Sequence, residues 1–509
     1  MKIGNPMSNE LLSPAEMAEA DRLAISEGPL DGYGLMRRAG EAVAAVVLER
    51  YPAATRVHVL CGPGNNGGDG YVVARLLAES GVDVALWVSG EPRAGSDAAI
   101  AAADCALERR PLSAFAAEPG SVVVDALYGA GLSKPLSGEA KRAVDIAKGL
   151  PVVAVDLPSG VSGESGAILG AAFRADVTVT FARKKPGHLL LPGREQCGEI
   201  VLADIGIDDR IIAQVAPRTF ENTPAVWRRH MPVPAIDAHK YERGHVGICS
   251  GGPSATGAAR LSALGAARSG AGAVTVLSPG NSMQVNAAHL TSIMLRKADT
   301  VDEIGTFVRE RRPSAFVLGP GFGIGEKARE FALALLNTRE PAAIEGLVLD
   351  ADGITSFRDA PTGLFEAARG PNAPALVMTP HEGEFARLFP DIMADKALSK
   401  LGKARAAAQR AGAAIVCKGA DTVIASPEGW AAINCNGAPW LATAGSGDVL
   451  AGVIAGFLAQ GTPAFEAACA AVWVHAEAGS RFGPGLIAED LPLALVPVLR
   501  ELVGYAAAG

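Results

Sequence analysis

No two of the seven cysteines form a C-x-x-C pair; Cys61, Cys105, Cys197, Cys249, Cys417, Cys435 and Cys469 are scattered and odd in number. This argues against a disulfide framework and a cysteine-built zinc site, and suits a reducing compartment. Aromatic residues are few, and no basic stripe breaks the mixed charge that sums to −8. Nucleic acid and anionic membrane surfaces are therefore poor partners. No apolar run reaches membrane-spanning length without a Gly, Pro or charge inside it. The first residues lack the basic-then-apolar order of a secretory leader, so a cytoplasmic location is the expectation.

What is abundant is Ala and Gly within a chain of 509 residues that is half apolar. That length exceeds one ordinary core, and small residues suit the close packing of helices on strands. The first half alternates short β-branched runs with helical patterns. A capping box at Ser13-Pro14-Ala15-Glu16 opens a helix to about residue 26, and a second helix is expected over 34–50. Strands are expected over 56–61, 82–88, 122–125, 152–155, 176–181 and 199–203, with helices over 71–80, 96–109 and 138–148. This βαβ rhythm predicts a mostly parallel sheet whose ligands bind at the carboxyl ends of strands. Three loops should meet there. Gly62-Pro63-Gly64-Asn65-Asn66-Gly67-Gly68-Asp69-Gly70 follows one strand, and Asp125 and Asp156 each end another. The glycine loop is neither a dinucleotide fingerprint nor a Walker loop, and its Asn and Asp side chains offer more than a phosphate cradle needs. Oxygen donors of this kind suit an alkali or alkaline-earth ion. A structural turn is the competing reading of the loop, and a loop cap that of either aspartate alone.

Prolines crowd residues 216–238, predicting an extended linker and a boundary near residue 225, with domains 1–224 and 225–509. Beyond it, strands are expected over 246–249, 273–277, 315–318, 346–349, 375–378, 414–417 and 422–425. Most end in polar or glycine-rich turns: Gly319-Pro320-Gly321-Phe322-Gly323, Asp350-Ala351-Asp352-Gly353, Thr379-Pro380-His381-Glu382-Gly383-Glu384 and Lys418-Gly419-Ala420-Asp421-Thr422. The chemistry centres on Ala442-Thr443-Ala444-Gly445-Ser446-Gly447-Asp448, which leads into the apolar run 449–458. Glycines let an anion approach the unpaired N–H groups of a helix start, and Asp448 would stand in the first turn beside it. Such a carboxylate serves as a base or as the partner of a metal or a reacting hydroxyl. A capped core helix, a satisfied turn histidine at His381 and a solvated Lys418 are the bland alternatives.

These motifs carry a resemblance over nearly the whole chain. The loop 62–70, Asp125-Ala126-Leu127-Tyr128-Gly129-Ala130-Gly131-Leu132 and Asp156-Leu157-Pro158-Ser159-Gly160 resemble the epimerase domain of the NAD(P)H-hydrate repair enzymes. The second-half turns resemble the ribokinase-like superfamily and, within it, the ADP-dependent NAD(P)H-hydrate dehydratases. The resemblance implies two three-layer αβα domains, a Rossmann-like doubly wound sheet followed by a ribokinase-like one. It implies that the hydrated cofactor contacts Asn65, Asn66, Gly67, Gly68, Asp69, Gly129, Ala130, Gly131, Leu132, Ser133, Lys134, Pro135 and Asp156. Asn66, Asp125 and Ser159 would hold K⁺, and Asp156 would be the acid/base. In the second domain Ala258, Gly323, His381 and Asp448 would contact the hydrate, and Lys418, Gly419, Ala420, Asp421, Thr422 and Gly447 the adenine nucleotide with Mg²⁺. Asp448 would be the base.

The implied partners are the hydrates of NADH and NADPH and ADP, which becomes AMP, with a homo-oligomer as the expected assembly. Tyr241 and Trp440 depart from the family pattern, and residues 286–295 fit it poorly. Two rival readings predict different outcomes: a small-molecule kinase of vitamin or sugar metabolism would leave a stable phosphorylated product, and a non-catalytic nucleotide sensor would tolerate loss of Asp156 and Asp448.

Overall fold

The computed structural model describes residues 9–235, 237, 239–338 and 344–504. The chain divides into two compact units, 1–219 and 220–509.

The first unit is built on seven parallel strands: β1 (Val57–Cys61), β2 (Val84–Val88), β3 (Arg109–Pro111), β4 (Val122–Ala126), β5 (Val152–Val155), β6 (Val177–Phe181) and β7 (Glu199–Ala203). Their order across the sheet is β3-β2-β1-β4-β5-β6-β7. The chain winds outward in both directions from β1 and β4, which leaves a crevice at their carboxyl ends where ligands bind in such sheets. β1, β4 and β5 are buried at every residue, His58 and Asp125 included, as strands in a parallel sheet covered on both faces must be. Two expectations change here. The helix after β1 begins at Asn65, not Tyr71, so the Asn-Asn-Gly-Gly-Asp run forms its first turns (Asn65–Glu79). Residues 109–111 form an exposed edge strand, not the end of a helix; that helix stops at Asp104.

The second unit adds β8 (Thr219–Glu221), β9 (His245–Cys249), β10 (Ala273–Ser278), β11 (Met294–Lys297), β12 (Ala315–Leu318), β13 (Gly346–Leu349), β14 (Ala375–Met378), β15 (Ala414–Cys417), β16 (Val423–Ala425) and β17 (Ala431–Ile433). The order is β11-β10-β9-β12-β13-β14-β15-β16-β17-β8, parallel from β11 to β15, with β16 and β17 antiparallel. β8, β11 and β17 had no counterpart in the sequence reading. The proline-rich stretch is not the extended linker its composition suggested. Pro224 opens a short helix (Pro224–Trp227), where its fixed φ and missing N–H cost nothing, and Trp227 is wholly buried. Residues 236 and 238 lie outside the described residues.

Helix Ser446–Ala459 runs through the middle of this unit and is buried over nearly its whole length. It lies against helix Thr256–Arg268 through glycines on both sides. A Cβ on Gly452 would sit 2.0 Å from the Ser262 carbonyl oxygen, and one on Gly265 2.5 Å from that of Val449. The Ser262 hydroxyl donates to the Asp448 carbonyl at 2.8 Å. This contact fixes the helix that carries Asp448.

Candidate active sites in the two units

In the first unit a cavity of about 740 Å³ opens at the carboxyl ends of β1, β4 and β5. Asn65, Asn66, Asp69, Asp156 and every residue from Gly129 to Pro135 (Gly129, Ala130, Gly131, Leu132, Ser133, Lys134, Pro135) line it. Gly67 and Gly68 do not, contrary to their expected contact role. A Cβ on Gly67 would fall 1.8 Å from the Gly62 carbonyl oxygen, and one on Gly68 2.6 Å from the Met36 side chain. Gly67 lets the helix press on the turn after β1 and Gly68 on the Met36 side chain of helix Gly32–Arg50, while the asparagines and Asp69 face the cavity.

Asp156 follows β5 with φ 64°, a left-handed conformation that costs a non-glycine residue. Its surroundings hold it there. The His188 Nε2–H donates to its carbonyl at 2.8 Å, and His188 Nδ1 accepts the Lys185 N–H at 2.9 Å, which fixes the tautomer. Lys185 Nζ, its side chain 2% exposed, lies 2.6 Å from Asp156 Oδ1, to which the Thr180 hydroxyl also donates at 3.0 Å. The Ala130 N–H donates to Oδ2 at 3.0 Å. Burial pushes the Asp156 carboxyl up, but Lys185 outweighs burial and brings it down to about 2. Ionised this way, Asp156 can stabilise a cation or accept a proton and has none to donate.

Asp125 and Ser159 form a buried pair below the cavity. Ser159 donates to Asp125 Oδ1 through its hydroxyl at 2.6 Å and to Oδ2 through its N–H at 2.6 Å. Burial raises the Asp125 carboxyl to about 6 against these bonds. Asn66 comes from the other side of the loop. Its Oδ1 lies 2.8 Å from where a Gly129 Cβ would stand, and its Nδ2 is buried without a hydrogen-bond partner among the described residues. Among the described residues no cluster of three His, Cys, Asp or Glu side chains could hold a metal. A carboxylate, a hydroxyl, an amide oxygen and the Tyr128 carbonyl are the mixed hard donors that fit an alkali ion.

Sequence reasoning missed Asp21, on helix Pro14–Glu27, and Lys185; both line this cavity. The signal for Lys185 was Lys-Pro-Gly-His after a strand end; for Asp21 there was none, because a helix carries it in from a distant part of the chain.

In the second unit the parallel-strand order reverses between β9 and β12, and the expected loops gather at strand ends. Asp448 is the third residue of its helix, behind Gly445 at φ 90°. Lys418 Nζ lies 2.7 Å from Asp350 Oδ1, which also accepts the Thr379 hydroxyl at 2.8 Å. A Cβ on Gly447 would lie 3.3 Å from Lys418 Nζ, so the ammonium stands over the helix start. Burial raises the Asp448 carboxyl to about 6; Asp350 adds to the rise, Lys418 opposes it and Asp352 adds a little more. Gly323 donates its N–H to Asp352 Oδ2 at 3.0 Å, and Ala258 Cβ lies 3.4 Å from a Cβ placed on Gly321. Both therefore belong to the rim that carries Asp352.

The turn at Gly419, Ala420, Asp421 and Thr422 is closed on itself, with the Thr422 hydroxyl accepting from the Gly419 N–H and donating to its carbonyl. Asp421 pairs with Lys400 at 2.5 Å, a partner the sequence reading did not single out. His381 caps its own helix (Glu382–Leu388). Its Nδ1 accepts the Gly383 N–H, while Glu384 accepts the His381 N–H, and the ring is half-exposed. Beneath the glycine turn, buried His475 meets the Ser446 carbonyl at 3.0 Å.

Known relatives match both units of the chain. A family model described as NAD(P)H-hydrate dehydratase matches residues 246–494, and one described as YjeF-related protein N-terminus matches 32–187. The Bifunctional NAD(P)H-hydrate repair enzyme Nnr of Coxiella burnetii is 34% identical over 96% of this chain and 98% of its own. That of Escherichia coli is 33% identical over 90% and 88%. Among solved structures, the ADP/ATP-dependent NAD(P)H-hydrate dehydratase of Bacillus subtilis is 25% identical with a TM-score of 0.48, covering 55% of this chain and 98% of that one. With relatives matched along nearly their full length, the chain belongs to the family of bifunctional NAD(P)H-hydrate repair enzymes.

Proposed function

We propose that the chain repairs hydrated NADH and NADPH with both units: the first interconverts the R and S hydrates, and the second dehydrates the S form with ADP. The observation that carries this reading is the pair of full-length sites in one chain. One holds an ionised Asp156 in a cavity, and the other an Asp448 poised at a helix start beneath Lys418.

In the second unit Asp448 takes the proton of the C6 hydroxyl as its oxygen attacks the terminal phosphate of ADP. The N–H groups of the helix start and Lys418 stabilise the phosphoryl group in transfer. Hydroxide is a poor leaving group and phosphate a good one, so the ring nitrogen expels phosphate, and loss of the C5 proton restores NAD(P)H. Mg²⁺ carried in with the nucleotide would supply charge neutralisation at the phosphates. Lys418, Gly419, Ala420, Asp421, Thr422 and Gly447 bind the nucleotide; Ala258, Gly323 and His381 contact the hydrate.

In the first unit Asn65, Asn66, Asp69, the 129–135 loop and Asp156 receive the hydrated ring, with Lys134 toward the phosphates. Asn66, Asp125 and Ser159 would hold K⁺, which would supply a fixed positive charge that steadies these loops. We place the enzyme in the cytoplasm as a homo-oligomer; no helix among the described residues is long and apolar enough to cross a membrane.

The test is S hydrate with ADP and Mg²⁺. One NAD(P)H, one AMP and one phosphate should form per hydrate consumed. A stable phosphorylated product would instead support a small-molecule kinase.

A further inference from the structure

The first-unit cavity holds more acid than base. Asp21, Asp69, Asp97 and Asp156 all line it, Lys134 is exposed at its edge, and the lysine buried against the carboxyls, Lys185, is spent on Asp156 and Thr180. Neither Asp21 nor Asp69 has an ion pair or hydrogen bond to its carboxylate among the described residues. Asp21, Asp69 and Asp156 share the one buried ammonium, and in a half-enclosed space they cannot all ionise, because like charges repel where water screens them poorly. At least one must carry a proton, and Asp156, ion-paired, is not the one.

We propose that Asp21 is the general acid of the epimerisation, giving its proton to the C6 hydroxyl of the hydrate while ionised Asp156 faces the ring. This rests on the reading of the first unit as the epimerase. The Asp21 proton passes to the hydroxyl oxygen, the C6–O bond breaks, water leaves, and the ring nitrogen lone pair forms the C6–N double bond. Water then adds to the opposite face of C6 and returns a proton to Asp21. No electrons are gained or lost overall.

The iminium is the cation that Asp156 stabilises, so the two carboxyls divide the work as differing environments direct. The charges facing Asp21 are consistent with this. Burial raises its carboxyl to about 6, Lys185 opposes the rise and Asp156 adds to it. Asp69, on the helix after β1, is pushed up by burial, by Asp156 and by Asp21. A donor near 6 is matched to work near neutral pH. Asp21 also lies before the stretch that the N-terminal family model matches, 32–187.

The experiment follows R-to-S conversion of purified R hydrate without ADP, so that only the first unit acts, and dehydration of purified S hydrate with ADP as the check on the same chain. In the wild type, kcat/KM for conversion should fall tenfold per pH unit above about pH 6. Asp21→Asn should lower kcat about 100-fold or more, with KM changed less than about threefold, and lose that limb. Asp21→Glu should keep activity with the limb displaced. Dehydration of the S form should not change in either variant. A uniform rate loss in Asp21→Asn with the limb intact would overturn the proposal, since a merely structural residue would act that way. If Asp21→Asn unfolds the first unit, Asp21→Glu decides, and a limb identical to the wild type refutes the role. A wild type that does not interconvert the hydrates would instead refute the epimerase reading and the proposal with it.

Discussion

Removing Lys185 should change the first unit in a way that depends on pH. In the wild type the ammonium holds Asp156 at about 2, down from 3.8. A carboxyl depressed in this way contributes stability that is fully present above its unfolded value and lost as pH falls through its folded value. With the Asp156 side chain 16% exposed, the shift corresponds to about 2–3 kcal/mol, present above about pH 4 and gone near pH 2. Lys185→Met leaves a buried carboxylate without its partner, a change that costs about 3–5 kcal/mol at neutral pH. Burial then dominates at Asp156 and raises its carboxyl, so lowering the pH protonates it and relieves the cost. Hydrogen exchange of the β5 and β6 amides reads this locally. The gap in protection between wild type and Lys185→Met should be wide at pH 7 and close toward pH 3. Lys185→Met with Asp156→Asn should close it at pH 7 as well. A gap of equal size at both pH values would refute the ion pair as its source.

Asp448→Asn should slow dehydration of the S hydrate about 10²- to 10⁴-fold while R-to-S conversion continues, as measured by NAD(P)H absorbance and by separation of the epimers. Because Asp448 works as a carboxylate raised to about 6, wild-type dehydration should fall as pH drops through 6 and level above it. Gly452→Val forces a side chain onto the Ser262 carbonyl and should cost the second unit about 1–3 kcal/mol or more, seen as a lower midpoint in urea. Replacing K⁺ by Li⁺ should slow R-to-S conversion and leave dehydration of purified S hydrate unchanged.

The parts of the fold that local pattern determines were legible. β5, β12, β13, β14 and β15 fall where the β-branched and apolar runs place them, because a strand buried on both faces has little freedom in composition. The helix start at Gly445-Ser446-Gly447-Asp448 was legible because glycine ahead of an apolar run has few other uses. Four short strands, β3, β8, β11 and β17, were not: β3 is fully exposed and owes its strand form to pairing with β2, which leaves no apolar pattern. Residues 65–70 read as a loop since glycines disfavour helix. Tertiary packing overrides that preference, pressing the helix so closely on Gly62 and Ala126 that only glycine fits. The proline-rich stretch misled for a similar reason: composition cannot reveal that Trp227 finishes the core. In the sites, Asp125, Asp156 and Asp448 could be named because strand ends and helix starts are local features. Asp21, Lys185, Asp350 as the Lys418 partner, and Lys400 depend on pairing between distant segments, which spacing does not encode.

The central claim is that two activities in one chain return every hydrate to use. A mixture of R and S NADPH hydrates should be incubated with the enzyme, ADP, Mg²⁺ and K⁺ while NADPH absorbance is followed. The account predicts complete recovery of both epimers with one AMP and one phosphate per NADPH, and Asp156→Ala should leave the R form to its slow spontaneous conversion. Rapid recovery of the S fraction alone by the wild type, or phosphate retained on a stable product, would contradict it.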